Sequence, residues 1–241
     1  LQNHDTMKKI ILAVLLMAPA IASFSQANNV TIKGQGVLHN LNLTGSSAPE
    51  KQIMGSPYLN VDYMYGKIVL VNGREVKGML RYNVRTQDFE VVIEKDTLYI
   101  SEPELVRQVN FAGKTFVYSL AIEEINGQEF LTGGYYEVVA GSGGSAKLLV
   151  KHEKKIKESS YASTLGGGGT GIKRYVGEQN FYIKPGAKRA AYRITSSKDL
   201  VSPFRENKIG QEQIKKYISR NNINASDVED LKRFLEYCNQ L

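Results

Sequence analysis

The stretch KIVLVNGREVKGMLRYNV, residues 67–84, decides the fold class. Two apolar or alternating runs flank Asn72-Gly73, and an Asn-Gly pair between such runs predicts a two-residue hairpin. Both central residues of a type I′ turn need positive φ, which Asn and Gly tolerate best. The same grammar continues on both sides. VRTQDFEVVIEKDTLYI (84–100) predicts a strand pair broken at Gln87-Asp88 and Lys95-Asp96, and RQVNFAGKTFVYSLA (107–121) a hairpin about Ala112-Gly113. A second Asn-Gly stands at 126–127, and YYEVVAGSGGSAKLLVKHEKKIKE (135–158) pairs two runs around a Gly-Ser loop. Short strands at this spacing predict a mainly β protein, an antiparallel meander closing into a barrel or sandwich.

The last 46 residues change period. In SDVEDLKRFLEYCNQL (226–241), Ser226 and Glu229 have capping-box spacing, and Val228, Leu231, Leu235 and Cys238 recur on one helical face. QEQIKKYISR (211–220) puts Ile214, Tyr217 and Ile218 on one side of an earlier helix, and a shorter one is expected near Lys198–Phe204, limited by Pro203. The fold class is therefore α+β, β first and helices last. At the other end, MKKIILAVLLMAPAIASFSQ (7–26) has the basic start, apolar run and small residues of a secretory signal peptide, with cleavage expected after Ser25. The apolar run is shorter than the roughly 20 residues a membrane-spanning helix needs, so no transmembrane helix is expected in the mature chain. The domain reading is a pre-sequence and signal peptide over 1–25 and a flexible arm over 26–55, with one short strand near Val30–Lys33. A β-rich domain follows over 56–195, then C-terminal helices packed on it over 196–241.

Charge is unevenly distributed. Residues 26–146 carry 10 Lys+Arg against 13 Asp+Glu, whereas residues 147–241 carry 19 against 10, a net of +9. Such a half suits phosphate, acidic glycan or an anionic membrane face, or is simply a solvated surface. Cys238 is the only cysteine, so an intramolecular disulfide is impossible.

Several chemical motifs fail on their surroundings. Gly166, Gly168 and Gly171 in YASTLGGGGTGIKRY (161–175) satisfy G-x-G-x-x-G. A dinucleotide loop, however, needs a buried strand before it and a helix N-terminus after it to point N–H groups at the pyrophosphate. Strand formers follow here, and Ile172 occupies the lysine position of a phosphate loop, so the segment reads as an inter-strand linker and no nucleotide cofactor is expected. HEKKI (152–156) lacks the second histidine of a zinc protease, and no metal site is expected. His152 reads as a hydrogen-bonded structural histidine and Cys238 as a buried thiol. With no recognisable nucleic-acid module, nucleic acid is not an expected partner.

Two surfaces remain as binding candidates. Tyr58, Tyr63 and Tyr65 (PYLNVDYMYG) could line a ligand-binding face, with Tyr63 and Tyr65 on one side of a strand, or serve as core and sheet-edge aromatics. The lysines Lys147, Lys151 and Lys155 form a basic row on the strand that also holds His152. The paired acids Glu102/Glu104 and Glu123/Glu124 carry the alternative of a secreted hydrolase working through two carboxylates. The basic half carries that of a binder of anionic polymer.

GSPYLN, GMLRYNVRTQDFEV, FAGKTFVYS, GYYEVVAGSGGSAKLLVKHEKKIKE and DLKRFLEYCNQL, in that order, resemble a set of uncharacterised secreted Bacteroidota proteins. The resemblance covers roughly residues 55 to 241 and departs at the glycine insertion and at Cys238, where the set usually has a tyrosine. It implies export and this β-then-α architecture, and it brings no activity and no site residues. Asp96-Thr97-Leu98 also resembles the D-[S/T]-[apolar] O-glycosylation pattern of exported Bacteroidota proteins, making Thr97 a candidate. The expected function is that of an exported, non-catalytic cell-envelope protein in the periplasm, outer-membrane-associated or at the cell surface. It would bind an envelope component or a protein partner, such as an outer-membrane or periplasmic complex.

Overall fold

The computed structural model describes residues 32–34, 53–93, 96–125, 127–159, 171–186, 188–205 and 208–241. These residues form eleven strands in one continuous sheet, followed by helices. The first part is β1 (Ile32–Gly34), β2 (Met64–Leu70), β3 (Glu75–Asn83), β4 (Asp88–Ile93), β5 (Asp96–Ile100) and β6 (Val106–Phe111). Its spatial order is β1-β5-β4-β3-β2-β6, with antiparallel neighbours throughout. β2 to β5 are a meander, and β1 adds to its edge from the segment where one short strand was expected. After β5 the chain crosses to the far side of β2, through a 3-10 turn at Pro103–Leu105, before laying down β6. Strand alternation puts Leu80 and Tyr82 of β3, Phe89 and Val91 of β4 and Val109 and Phe111 of β6 on one buried face. Tyr82 and Phe89 are directly opposed across β3–β4 and stack with ring centroids 4.4 Å apart.

The second part is a closed barrel of β7 (Lys114–Ile125), β8 (Gln128–Ala140), β9 (Ala146–Ser159), β10 (Ile172–Pro185) and β11 (Ala190–Ile194). Successive strands pair antiparallel, and β11 returns beside β7 in parallel, with Ala191 opposite Ala121. The parallel seam is a matter of counting: an odd number of up-and-down strands brings the first and last together pointing the same way. Closure removes the sheet edges there. A plug of Ala121, Tyr136, Leu149, Tyr182 and Ala191 fills the middle of the lumen. Outside, Phe116 and Tyr135 join the aromatic core of the first sheet. On another side Ala146, Leu148, Ile183 and Ile194 are covered by a 3-10 helix (Asp199–Phe204), α1 (Lys208–Asn221) and α2 (Val228–Cys238).

Two local expectations change. Asn72-Gly73 does not make a type I′ turn. Only Gly73 has positive φ (84°), in a three-residue loop closed by Gly73 N–H to Leu70 O (3.0 Å) and Leu70 N–H to Arg74 O (2.9 Å). The Asn72 side chain instead accepts the Arg74 N–H at 3.0 Å, which needs no left-handed backbone. The left-handed pair is Ala112-Gly113 (φ 53° and 73°), linking opposed Phe111 and Lys114. At α2 the cap is Asp227, not Ser226: its carboxylate accepts the Glu229 and Asp230 N–H groups, both at 2.9 Å. A carboxylate there also complements the helix dipole. The glycine-rich segment 161–170 lies outside the described residues. Directly C-terminal to it the chain forms β10, a strand, where a dinucleotide loop needs a helix.

Candidate functional site

Among the described residues, three clusters of charged side chains are largely shielded from solvent. On the outer face of the first sheet, Arg81 of β3 stands opposite Glu90 of β4. Glu90 is 3% exposed and takes two hydrogen bonds from Arg81, Nε at 3.1 Å and Nη2 at 2.7 Å. The segment before β2 folds over this pair. Tyr58 donates its hydroxyl to Glu90 Oε1 (2.8 Å) and Tyr63 to Oε2 (2.7 Å), while their rings sit 3.7 Å and 4.3 Å from the guanidinium carbon. The arginine is thus held between two aromatic faces with its charge met by a carboxylate. Burial pushes the Glu90 carboxyl up, but the bonds from Tyr63, Arg81 and Tyr58 outweigh it and hold it below the ordinary carboxylate range. Burial, followed by the bond to Glu90, lifts the Tyr58 phenol to about 12.

The second cluster fills one end of the barrel lumen. Lys151 of β9, 7% exposed, reaches Glu123 of β7 at 3.0 Å and Glu153 of its own strand at 3.3 Å. Glu123 also accepts from Tyr182 (3.0 Å) and Thr132 (3.1 Å). Asn180 donates to Glu153 at 2.8 Å and accepts from Arg193 at 2.9 Å. Burial raises the Glu123 carboxyl, and Lys151, Tyr182 and Thr132 together bring it below its ordinary value. The third cluster lies between barrel and first sheet, where Glu137 accepts from Lys114 (2.6 Å) and meets His152 Nε2 at 2.7 Å. Here too burial raises the carboxyl and the His152 and Lys114 bonds lower it further than burial lifts it. His152 is a buried, hydrogen-bonded structural residue.

Buried Glu90 and Glu137 and partly buried Glu123, held ionised, carry no proton to give, which disfavours them as general acids near neutral pH. Glu123 and Glu124, adjacent in β7, point to opposite faces, Glu123 to the lumen and Glu124 outward opposite Glu129. They therefore do not work as a pair across a cleft. Burial pushes the Cys238 thiol up to about 12, far from a thiolate nucleophile. Among the described residues no three His, Cys, Asp or Glu side chains come together to hold a metal ion, and no helix is long and apolar enough to cross a membrane.

Tyr58, Tyr63 and Tyr65 all lie on the outer face of the first sheet, but of the three only Tyr65 is within β2 and open to solvent. It is 69% exposed and stands opposite Met79, 41% exposed, beside a groove of about 490 Å³ that runs to Asn110 and Lys114. Thr97 belongs to the same face, half-buried, its side chain within hydrogen-bonding reach of Tyr63. The lysines share one row of β9 yet not one environment. Lys147 stands opposite Lys184 at the far mouth of the barrel, where burial and then Lys147 pull the Lys184 ammonium down. Lys151 is consumed in the lumen, and exposed Lys155 pairs with Glu178 at 2.6 Å. The row is thus no continuous basic contact surface. Arg81, Glu90 and Met79 escaped the reading of the sequence, although the Asn83–Asp88 hairpin register alone opposes Arg81 to Glu90. No protein-family model, curated protein or solved structure matches this chain.

Proposed function

We propose that this is an exported, non-catalytic cell-envelope protein that binds a protein partner or envelope component through the outer face of its first sheet. The observation that carries the reading is the exposed cross-strand pair Tyr65–Met79 beside an open groove, mounted on the Arg81–Glu90–Tyr58–Tyr63 cluster. An aromatic and a methionine held side by side on a rigid sheet present contact area at low entropic cost, which suits an interface more than a solvated surface. The leader-like N-terminal pattern supports the location, in the periplasm or on the outer membrane. The ionised state of the buried carboxylates supports binding over acid–base chemistry.

The test is native co-purification. C-terminally tagged wild-type chain and a Tyr65→Ala/Met79→Ala variant are recovered from host envelopes in mild detergent, with thermal melting as the folding control. Stoichiometric recovery of an envelope component by wild type, reduced about tenfold or more in the variant, is expected. Undiminished recovery by a folded variant removes this face from the proposal, and a chain retained in the cytoplasm removes the proposal itself.

A further inference from the structure

Between the first sheet and the barrel, the strap 54–59 is stitched to both. Met54 donates its N–H to Lys173 O of β10 (2.8 Å) and accepts from Tyr175 N–H (3.0 Å). Pro57 O accepts from Val84 N–H (3.1 Å), and Leu59 N–H donates to Tyr82 O of β3 (2.9 Å). Beside the strap β9 and β10 run as a pair, with His152 opposite Gln179 and Lys154 opposite Gly177. Strand alternation puts these four on one face. Glu153 and Glu178, opposed between them, turn to the other face, where Lys151 and Asn180 hold the first and Lys155 and Lys157 the second.

A cleft of about 470 Å³ lies along the strap side, with Leu59, Val84, His152, Lys154, Gly177 and Gln179 in its lining. Glu153 and Glu178 border it as well, their carboxylates engaged on the far face. Val84 is 2% exposed and packs with Leu59 in the core of the first sheet, so one wall is carbon. On the β10 side a Cβ at Gly177 would meet nothing within 4 Å, which leaves the room open. The charge inside is Lys154. Its ammonium has three N–H groups. Two go to carbonyls of the strap, Ser56 O at 2.9 Å and Tyr58 O, and the third has no acceptor among the described residues. Lys151, Lys155 and Lys157 of the same strand each meet a glutamate, whereas Lys154 has no acid partner among the described residues. Burial accordingly draws the Lys154 ammonium down, with no acid to hold it up.

A partly buried cation lacking an anion, with an amide beside it and carbon on one wall, matches a carboxylate on an apolar body. A phosphate would find one lysine for its charge and leave the carbon wall bare. We propose that the cleft between the strap and the β9–β10 pair is a carboxylate-binding site, in which Lys154 and Gln179 take the carboxylate and Leu59 and Val84 the hydrocarbon next to it. The site goes beyond the envelope-binding reading and does not depend on the Tyr65–Met79 face.

The test is an amide NMR titration of the isotope-labelled full chain with isovalerate and with a tripeptide ending in leucine. Each acid is compared with its uncharged amide and with inorganic phosphate. The acids are expected to give saturable shifts at Leu59, Gly177 and Gln179, and the amides none. Lys154→Met should weaken binding about tenfold or more, the loss of one charge-assisted bond. Because Lys154 also ties the strap, Gly177→Val is the second variant, and thermal melting checks the fold of both. Valine suits a strand, keeps the ammonium and fills the cleft, so this variant too should lose about tenfold or more. Saturation by the tripeptide alone assigns the site to a peptide C-terminus and saturation by isovalerate to a small acid, and either upholds the proposal. Equal shifts from acid and amide, tighter binding of phosphate, no saturable shift with either acid, or undiminished binding by a folded variant overturns it.

Discussion

The first sheet and the barrel place polar side chains on opposite principles. In the sheet, β3 and β4 turn Leu80, Tyr82, Phe89 and Val91 inward and leave Arg81 and Glu90 outside, where two tyrosines cover them. In the barrel, β9 turns Leu148 to the helices and His152 to the first sheet, while Lys151 and Glu153 of the alternate row face the lumen. Five strands enclose too little space for the lumen to act as a solvent channel, so its charges must satisfy one another. A buried ionic network of this kind is weak evidence for added stability, yet removing one member leaves the others uncompensated. Packing thus dominates the sheet, whereas in the barrel Lys151, Glu123, Glu153, Asn180 and Tyr182 satisfy one another and leave Arg193 Nε buried without a hydrogen-bond partner among the described residues.

The largest effect should come from breaking the lumen. Lys151→Met strands Glu123 and Glu153 and is expected to cost about 3–5 kcal/mol in urea unfolding. A loss under about 1 kcal/mol would mean that water reaches the lumen and the contrast is false. Next come two glycines that test how each region yields. A Cβ at Gly66 would lie 2.7 Å from the backbone oxygen of Asn110, whereas one at Gly133 meets the end of the Tyr118 side chain. Backbone cannot swing aside, so Gly66→Ala should cost about 2–3 kcal/mol and Gly133→Ala clearly less by thermal melting.

Smaller again is the pair of hydroxyl deletions. Tyr182→Phe removes a bond to an ionised carboxylate and should cost about 2 kcal/mol. Tyr82→Phe removes bonds to Gln87 and the Tyr135 carbonyl and should cost about 1 kcal/mol. Equal losses would erase the distinction between the two cores. The smallest signal is in acid. Glu90, Glu123 and Glu137 all have lowered pKa values when folded, so their stabilisation is complete above the ordinary carboxylate value and is lost as pH falls through the lowered ones. Urea midpoints should hold from about pH 7 to 5 and decline below about 4. Glu90→Gln should make that decline shallower by a modest amount, because two of the three carboxylates remain.

Much of this was legible in the residues. The turn at 112–113, the reversal between β7 and β8 and the helical face of Leu231, Leu235 and Cys238 are products of local chemistry. Other features needed neighbours that are distant in sequence. Asn72-Gly73 signals a turn, but the choice between a two- and three-residue loop depends on the register that β2 must keep with both β3 and β6. The basic row of β9 reads as one surface because spacing shows a shared face and not what stands across from it.

The sequence by itself determined where strands, turns and helices lie, since backbone preference and side-chain periodicity act within a few residues. Only the tertiary structure decided that β11 returns to β7, which row of each barrel strand became the inside, and so which charges are buried. Alternation separates two faces without labelling either. In β9 the row with Leu148, Val150 and His152 is taken by the helices and the sheet, and the row with Lys151 is left for the lumen because long-range packing claims the more apolar side.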